Sequence, residues 1–391
     1  MRKMIGWLAA AAVLAGVAAN AQTAIQPGTP SILQWTLEQQ TKWYPAIETV
    51  GHTATVKRGD TVRPLPKAER SIDTLTYGQA DKSWTVEDYM KAYNVSGVMV
   101  VKDGKVILER YGLGRKPEDR WISFSVTKSI TSTLVGAAIR DGKIKSVDNA
   151  VTLYIPELKG SAYDGVSVRN LLTMSSGVKW NEDYADPDAD VARAGTRILE
   201  PGVNPIVSYM KALPRANEPG TKFHYNTGET DLAGILVSNA VGKSLSQYAS
   251  EKLWQAYGMG RDATWLVDVA GHERGGCCLS MTVGDYARVG QFMLDGGVAQ
   301  GAKILPDDWI GQATTAQITN GAPPLGYGYF WWLGPGGAYQ ASGIFGQSIT
   351  AIPDERLVIV INSAWPKAGA SELFVARSAF LNAVRAAAKG L

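Results

Sequence analysis

Strand-like runs of apolar and β-branched residues stand in two separate parts of the chain. In the first part, two such runs flank Asp103-Gly104 within residues 96–111, and this dipeptide is typical of the turn of a β-hairpin. In the second part, beyond about residue 325, aromatic and β-branched residues predict strands over 327–333, 348–352 and 357–362. The segment Pro-Asp-Glu-Arg at 353–356 predicts the turn between the last two.

Helical periodicity fills most of the chain between these strands. Apolar Ile130, Leu134 and Ala138 fall on one face of a helix predicted over about 126–141, directly after the hairpin. Further helices are predicted downstream, at 168–173, 205–213, 230–241, 246–254 and 283–294. The remaining predicted helices cover 32–44, 86–93 and about 370–388.

Strands near both ends with helices between them indicate an α/β (α+β) fold. We expect one lobe built from both ends of the chain and a mainly helical lobe inserted at roughly 145–300. The chain then divides into a leader, residues 1–21, an N-terminal region, residues 22–90, and a main domain, residues 91–385.

The leader has the features of a cleavable signal peptide. Arg2 and Lys3 precede a short apolar run that ends in Ala19-Asn20-Ala21, a small-x-small cleavage signal. The run is short for a membrane span, and no other segment approaches the roughly 20 apolar residues that a span needs. We therefore expect cleavage after Ala21, no stable membrane span afterwards, and a periplasmic or secreted protein. An uncleaved anchor is the alternative.

Composition describes a globular protein and argues against one class of partner. The 391 residues are 45% hydrophobic and 19% charged, which is ample for a packed core. The formal charge is +3, two of these charges lie in the leader, and no long run of like charges appears. We therefore expect no nucleic-acid partner.

The two cysteines are neighbours, Cys277 and Cys278. Disulfide geometry is hard to meet across one peptide bond, so we expect two buried thiols. Two ligands alone do not make a zinc site. We expect no metal and no other cofactor.

A serine three residues before a lysine occurs at Ser125/Lys128, Ser176/Lys179 and Ser208/Lys211. Only Ser125 lies where the predicted hairpin gives way to a long helix, and residues i and i+3 share a face of a helix. A lysine amine in reach of the serine hydroxyl can remove its proton only when neutral, so its pKa must fall from about 10.4. The alternative is a helix-capping serine beside a solvated lysine.

The rest of the sequence bears on which base such a serine would use. The chain has three histidines, His52, His224 and His272, and no Gly-x-Ser-x-Gly segment. This counts against a Ser-His-Asp hydrolase of the α/β-hydrolase type. Lysine or tyrosine is left as the base.

Three motifs in order resemble the serine β-lactamase and penicillin-binding-protein superfamily. Ser125-Val-Thr-Lys128 is similar to its first motif, Tyr225-Asn226-Thr227 to its Tyr-x-Asn or Tyr-x-Ser motif, and Ala341-Ser342-Gly343 to its Lys-Thr-Gly or His-Thr-Gly motif. The likeness covers about residues 90–385. It is strongest to the class C β-lactamase-related branch, which includes esterases and 6-aminohexanoate-dimer hydrolases.

The resemblance implies a β-lactamase/transpeptidase-like fold, an antiparallel sheet flanked by helices, with the site between two lobes. It implies that Ser125 is the nucleophile and that Lys128 and Tyr225 share proton transfer, with either of them as the base. The backbone N–H groups of Ser125 and Ile344 would form the oxyanion hole. Thr227, Ser342 and Gly343 would contact substrate.

Two further positions indicate which branch of the superfamily the chain resembles. The segment 180–190 resembles the one that carries a substrate-contacting tyrosine in 6-aminohexanoate-dimer hydrolases, and Tyr184 matches that tyrosine. The alternative is an acidic surface loop with a half-buried aromatic residue. Ala341 stands where penicillin-recognising relatives have the cation that orients the β-lactam carboxylate.

The sequence therefore predicts an exported serine hydrolase that cleaves small amides or esters through an acyl-enzyme and is similar to 6-aminohexanoate-dimer hydrolases. The alternatives are a class C-type β-lactamase or a D-alanyl-D-alanine carboxypeptidase. A non-catalytic periplasmic ligand-binding or sensor protein is the alternative from another class.

Overall fold

Two antiparallel sheets organise residues 31–79 and 81–391, which the computed structural model describes. The strands of these sheets and of two small ribbons are β1 (Thr53–Val56), β2 (Thr76–Gln79), β3 (Lys82–Thr85), β4 (Val95–Lys102), β5 (Lys105–Tyr111), β6 (Arg120–Ile122), β7 (Ala263–Leu266), β8 (Leu279–Thr282), β9 (Val298–Ala299), β10 (Ala302–Lys303), β11 (Trp332–Leu333), β12 (Tyr339–Ser342), β13 (Ser348–Ile352) and β14 (Leu357–Ser363).

Helices connect and cover the sheets. The α-helices are α1 (Leu37–Trp43), α2 (Val86–Ala92), α3 (Val126–Arg140), α4 (Val168–Leu172), α5 (Asp190–Arg193), α6 (Pro205–Lys211), α7 (Thr227–Val241), α8 (Leu245–Ala249), α9 (Val283–Leu294), α10 (Trp309–Ala313) and α11 (Ser371–Ala388). Among these described residues, no helix combines the length and the apolar character needed to cross a membrane.

The larger sheet joins the two ends of the main domain. Its order is β11-β12-β13-β14-β4-β5, and every neighbouring pair is antiparallel. In its centre β4 pairs with β14, which lies more than 250 residues later, with Val100 opposite Ile359. Both strands are buried almost throughout, because helices cover both faces of the sheet.

The two faces of this sheet bind different helices. On one face α2 and α11 pack together, with Tyr89 stacked on Phe380 at 4.1 Å between ring centroids. On the other face α9 lies across β4, β13 and β14. A Cβ on Gly290 would come within 2.5 Å of Val358, so glycine permits this close approach.

A mainly helical region stands between β6 and β7 in the chain. Its helix α7 packs against α3, α4, α6 and α8. The smaller sheet, in the order β1-β7-β8-β6, borders this region and ends in the strand that leads into α3. The start of α3 therefore lies where both sheets and the helical region meet.

The structure confirms the α/β (α+β) fold with an antiparallel sheet flanked by helices, and the hairpin as β4 and β5. The helices predicted from the sequence are present, with two local differences. The segment predicted as a helix over 32–44 is a 3₁₀ turn, Ile32–Gln34, followed by α1, because Thr36 caps a new helix. The helix predicted over 246–254 is α8 continued by one π-helical turn, Ser250–Gln255.

One predicted strand is wrong over most of its length. Within 327–333 only Trp332–Leu333 is a strand. Phe330 has φ 59°, and its N–H donates to Leu172 O, while the Tyr329 N–H donates to Ala313 O. This aromatic segment therefore bonds to two helix ends instead of a neighbouring strand. The predicted leader, residues 1–21, lies outside the described residues.

Candidate active site

Ser125 is the N-cap residue of α3, directly after a sharp turn. Strand β6 pairs with β8, and Phe124 then adopts φ 46°, which turns the chain into the helix. The Ser125 side chain makes no capping hydrogen bond to the helix. Its hydroxyl is therefore available to other groups, and it is half-buried at the wall of a cavity.

Lys128 lies one turn further along α3 and points back towards Ser125. Its Nζ lies 3.2 Å from Ser125 Oγ, 2.9 Å from Thr227 Oγ1 and 2.7 Å from Gly276 O. The residue is 1% exposed. Burial lowers the pKa of the amine to about 8; the carboxylates of Glu182 and Asp231 oppose this, and the Arg274 guanidinium favours it.

Tyr225 comes two residues before α7 and lies beside the same pair. Its ring centroid is 5.3 Å from Lys128 Nζ, and the ring stacks on Trp332 at 5.4 Å. Burial raises the pKa of its hydroxyl far above the ordinary value, Glu182 raises it further, and a hydrogen bond with Ser125 lowers it. Tyr225 is therefore protonated at neutral pH and can donate a proton.

Two backbone N–H groups, those of Ser125 and Ile344, belong to residues that line the same cavity. Within residues 31–79 and 81–391, neither the Ser125 nor the Ile344 N–H donates a hydrogen bond to another protein group. The loop that carries Ile344 approaches closely because residue 343 is glycine: a Cβ there would lie 2.6 Å from Ser123 O. Two free donors at a wall shared with Ser125 can stabilise an oxyanion.

Glu182 completes the site, and no sequence motif contains it. It accepts hydrogen bonds from the Thr227 N–H at 2.9 Å, from the Thr227 hydroxyl and from the Tyr184 hydroxyl at 2.6 Å. The Trp180 indole N–H also donates to it. A half-buried carboxylate with four donors holds Tyr184 and Thr227 in place. In the sequence, only its position between Trp180 and Tyr184 distinguishes Glu182 from other acidic residues.

A cavity of about 310 Å³ opens beside Ser125. Four of the predicted site residues line it: Ser125, Tyr184, Thr227 and Ile344. The rest of the lining is mainly apolar, with contributions from Ile32, Leu33, Val191, Leu266 and Val269. Such a mixture of apolar wall and few polar groups is typical of small-molecule sites.

Ser342 and Gly343 do not line this cavity. Gly343 acts through the close backbone approach described above. The Ser342 hydroxyl accepts a hydrogen bond from Arg377 Nη1 at 3.1 Å, and this arginine of α11 stacks over Trp365 and Phe374. Arg377 is buried behind β12, where neither the spacing nor any motif indicated it.

The expectation of two free thiols is wrong. Cys277 and Cys278 form a disulfide between neighbours, and both line the cavity. The chain turns sharply here: the Cys277 N–H donates to Arg274 O at 3.2 Å, and Cys278 has φ 121°. This conformation depends on the surrounding turn, so the dipeptide alone did not reveal it.

In the other two Ser-x-x-Lys pairs, the serine hydroxyl donates to a group other than the lysine amine. The Ser176 hydroxyl donates to Glu229, and the Ser208 hydroxyl donates to the backbone of its own helix. Lys211 pairs with Glu200 at 2.6 Å. Only the Ser125 pair has a buried lysine within reach of its hydroxyl.

These features define a class of protein: a serine hydrolase with a β-lactamase/transpeptidase-like fold. The chain belongs to the Beta-lactamase family, whose profile matches residues 84–381. The 6-aminohexanoate-dimer hydrolase of Paenarthrobacter ureafaciens is 32% identical over 356 residues, which cover 87% of this chain and 89% of that protein. A beta-lactamase of Pseudomonas fluorescens is 27% identical over 184 residues, 45% of this chain and 48% of that enzyme.

Solved structures show the same fold. A Bacillus anthracis protein assigned as a 6-aminohexanoate-dimer hydrolase superposes with a TM-score of 0.79 at 21% identity, over 90% of this chain and 96% of that one. A class C beta-lactamase superposes with a TM-score of 0.58 at 18% identity, over 76% of this chain and 93% of that one. These likenesses concern the fold.

Proposed function

We propose that the protein is an exported serine hydrolase that cleaves small linear amides or esters through an acyl-enzyme on Ser125. The observation that carries this proposal is the buried Lys128 amine, 3.2 Å from Ser125 Oγ, with a pKa of about 8. The similarity along 87% of the chain to a 6-aminohexanoate-dimer hydrolase supports the same class of reaction.

Lys128 is the base that activates the serine. With a pKa of about 8, about a tenth of the enzyme holds the amine in its neutral form at pH 7. The neutral amine takes the proton of Ser125 Oγ as the oxygen attacks the substrate carbonyl carbon. The Ser125 and Ile344 N–H groups stabilise the negative charge that develops on the carbonyl oxygen.

Tyr225 is the acid that releases the leaving group. Its raised pKa keeps the hydroxyl protonated at neutral pH, so it holds a proton to pass on and is not present as the phenolate base. The hydroxyl passes its proton to the leaving nitrogen or oxygen while it takes up the proton held by Lys128, so no free phenolate accumulates. The carbon–nitrogen or carbon–oxygen bond breaks and leaves the acyl group on Ser125. Lys128 is neutral again.

Water completes the cycle by the reverse sequence. A water molecule attacks the acyl carbon and gives its proton, through Tyr225 and Lys128, to the departing Ser125 oxygen. The products are the free acid and the regenerated hydroxyl. Thr227 fixes Lys128 throughout, because its hydroxyl accepts from Nζ at 2.9 Å and donates to Glu182.

The third motif favours linear substrates over β-lactams. Ala341 is 1% exposed and belongs to the apolar core, so β12 presents no cation to the cleft at that position. A β-lactam carries its carboxylate next to the scissile nitrogen, and an unpaired carboxylate is costly to bury. We therefore place the protein nearer to 6-aminohexanoate-dimer hydrolases than to β-lactamases in substrate class.

A purely ligand-binding protein has no use for this arrangement. Burying a lysine amine is costly unless its hydrogen bonds are satisfied or its charge is lost. The buried Lys128 amine has three hydrogen-bond partners, and one of them is the Ser125 hydroxyl. The proposal of export rests on the sequence of residues 1–21, which predicts a leader with cleavage after Ala21.

The experiment is active-site labelling followed by kinetics. Intact-mass spectrometry after exposure to a fluorophosphonate should show one adduct, on Ser125, and Ser125→Ala should lose both the adduct and p-nitrophenyl ester hydrolysis. Ser176→Ala is the matched control and should keep both. A Ser125→Ala enzyme with wild-type kcat would refute the proposal.

A further inference from the structure

A short segment near the N-terminus lies against the cavity beside Ser125. Ser31, Ile32 and Leu33 line this cavity together with residues of the main domain. A 3₁₀ turn, Ile32–Gln34, places them there, and Trp35 follows in an extended conformation. We call residues 31–35 the N-terminal strap. The strap lies outside residues 84–381, which the family profile matches.

Aromatic packing joins the strap to the turn that carries Ser125. Trp35 is 4% exposed, and its ring centroid lies 5.9 Å from that of Tyr44. Tyr44 packs edge-on against Phe124 at 5.3 Å between centroids, and its carbonyl accepts from the Ile122 N–H at 3.1 Å. Because Phe124 directly precedes Ser125, this packing fixes the strap relative to the serine.

Ile32 and Leu33 differ in burial from other apolar residues of the cavity. Phe124, Leu266 and Cys278 are core residues, each at most 6% exposed. Ile32 and Leu33 are only half-buried against the same cluster, so they keep apolar surface that a ligand can cover. A substrate chain that covers it leaves water as well, and each methylene group buried in this way raises affinity by roughly fourfold.

We propose that Ile32 and Leu33 of the N-terminal strap determine the chain length that the site accepts, by forming the wall that the apolar chain of the substrate meets. This inference rests on the proposed hydrolase function. Neither residue belongs to the proposed catalytic group, so their replacement should change the choice of substrate and leave the chemical steps in place. The chain can belong to the acyl part or to the leaving group, and the test separates these two sources.

The test measures kcat/KM as a function of chain length. One series varies the acyl part, as p-nitrophenyl acetate, butanoate, hexanoate and decanoate. The other varies the leaving group, as the acetate esters of ethanol, butanol, hexanol and decanol. In at least one series, kcat/KM of the wild-type enzyme should rise by up to roughly fourfold per added methylene group and fall once the chain is longer than the cavity allows.

Two replacements of Leu33 should move this optimum in opposite directions. Leu33→Ala opens the wall and should shift the optimum to a longer chain, and Ile32→Ala should do the same. Leu33→Trp extends the wall into the cavity and should lower kcat/KM for the hexyl relative to the shortest chain by roughly 10-fold or more. Such ratios cancel any general loss of activity. Leu37→Ala, which replaces a leucine of α1 that is 42% exposed, is the control and should leave the optimum in place.

The outcomes distinguish this inference from the proposed function. A wild-type enzyme that is labelled on Ser125 but hydrolyses every chain length equally overturns the role of the strap alone. An optimum that stays in place in Leu33→Ala, or that moves as far in Leu37→Ala, overturns it too, and Leu33→Ala carries the test alone if Leu33→Trp does not fold. A protein that neither reacts with a fluorophosphonate nor hydrolyses any ester of either series overturns the proposed function itself.

Discussion

Replacing Glu182 by Gln removes a negative charge that lies one hydroxyl group away from Lys128. The Thr227 hydroxyl accepts from Lys128 Nζ at 2.9 Å and donates to Glu182, which links the carboxylate to the amine. A carboxylate stabilises the ammonium form, and Glu182 raises the pKa of Lys128 against the larger effect of burial. Its removal should therefore lower this pKa.

The size of the effect follows from the position of the wild-type pKa. At about 8, the neutral amine makes up about a tenth of the enzyme at pH 7. A neighbouring opposite charge shifts a pKa by roughly 1 to 3, and Glu182 is only half-buried, so we expect the lower limit. A fall of about 1 raises the neutral fraction at pH 7 to about a half.

The assay is kcat/KM for a p-nitrophenyl ester from about pH 6 to about pH 10, corrected for spontaneous hydrolysis. The wild-type rate should rise with pH through a midpoint near 8, because only the neutral amine accepts the serine proton. In Glu182→Gln the midpoint should move to lower pH. The plateau should fall as well, because an amide has one oxygen, whereas the carboxylate accepts from the Thr227 and Tyr184 hydroxyls on one oxygen and from the Thr227 N–H and the Trp180 indole on the other.

The control variant and the refuting result both concern the pH midpoint of kcat/KM and not its plateau at high pH. Glu200→Gln removes a carboxylate that pairs with Lys211 and should leave the midpoint in place. A midpoint that does not move in Glu182→Gln would refute the coupling to Lys128. Lys128→Arg should be inactive at every pH, because arginine stays protonated; activity there would show that Lys128 acts only as a charge.

Three further outcomes are expected. Tyr225→Phe should lower kcat by roughly 10² to 10⁴, the usual contribution of one acid–base group, and unchanged kcat would exclude Tyr225 as the acid. Nitrocefin should be hydrolysed weakly or not at all beside a p-nitrophenyl ester, because Ala341 supplies no cation; a kcat/KM near 10⁶ M⁻¹s⁻¹ would contradict this. Dithiothreitol should lower kcat/KM by up to roughly 100-fold, the range that misplaced groups cost, because Cys277 and Cys278 line the cavity and directly follow Gly276, whose carbonyl accepts from Lys128. A Cys277→Ser/Cys278→Ser enzyme should not respond to dithiothreitol. Two alkylatable thiols in the denatured, unreduced protein would exclude the disulfide.

Local patterns predicted most of the elements that carry the site. The hairpin β4–β5, helix α3 and strands β13 and β14 each have a strong period or turn signal of their own, and the structure contains all of them. Ser125 could be chosen over Ser176 and Ser208 because its distinction is local: it lies at a strand-to-helix turn.

What the sequence did not show depends on contacts between distant segments. Glu182 acquires its role from Thr227, which follows it by 45 residues, and no spacing rule joins the two. The residues 327–331 have strand-like composition, but the Tyr329 and Phe330 N–H groups donate to the ends of two helices. Arg274 is an ordinary arginine in the sequence, and only the fold places it at the cavity with Asp231 behind it.

The distribution of positive charge around Ser125 bears on whether the site can accept a β-lactam. On β12 the position of the family's third-motif cation is held by Ala341, and Arg377 lies buried behind that strand, whereas Arg274 lines the cavity on the other side, near Lys128. The carboxylate of a β-lactam stands beside the scissile nitrogen, so β12 would offer it no cation for the water that it loses. A neutral linear ester brings no charge to that position, so the same lack of a cation costs it nothing. The ratio of kcat/KM for nitrocefin and for a neutral p-nitrophenyl ester therefore tests the role of Ala341 directly.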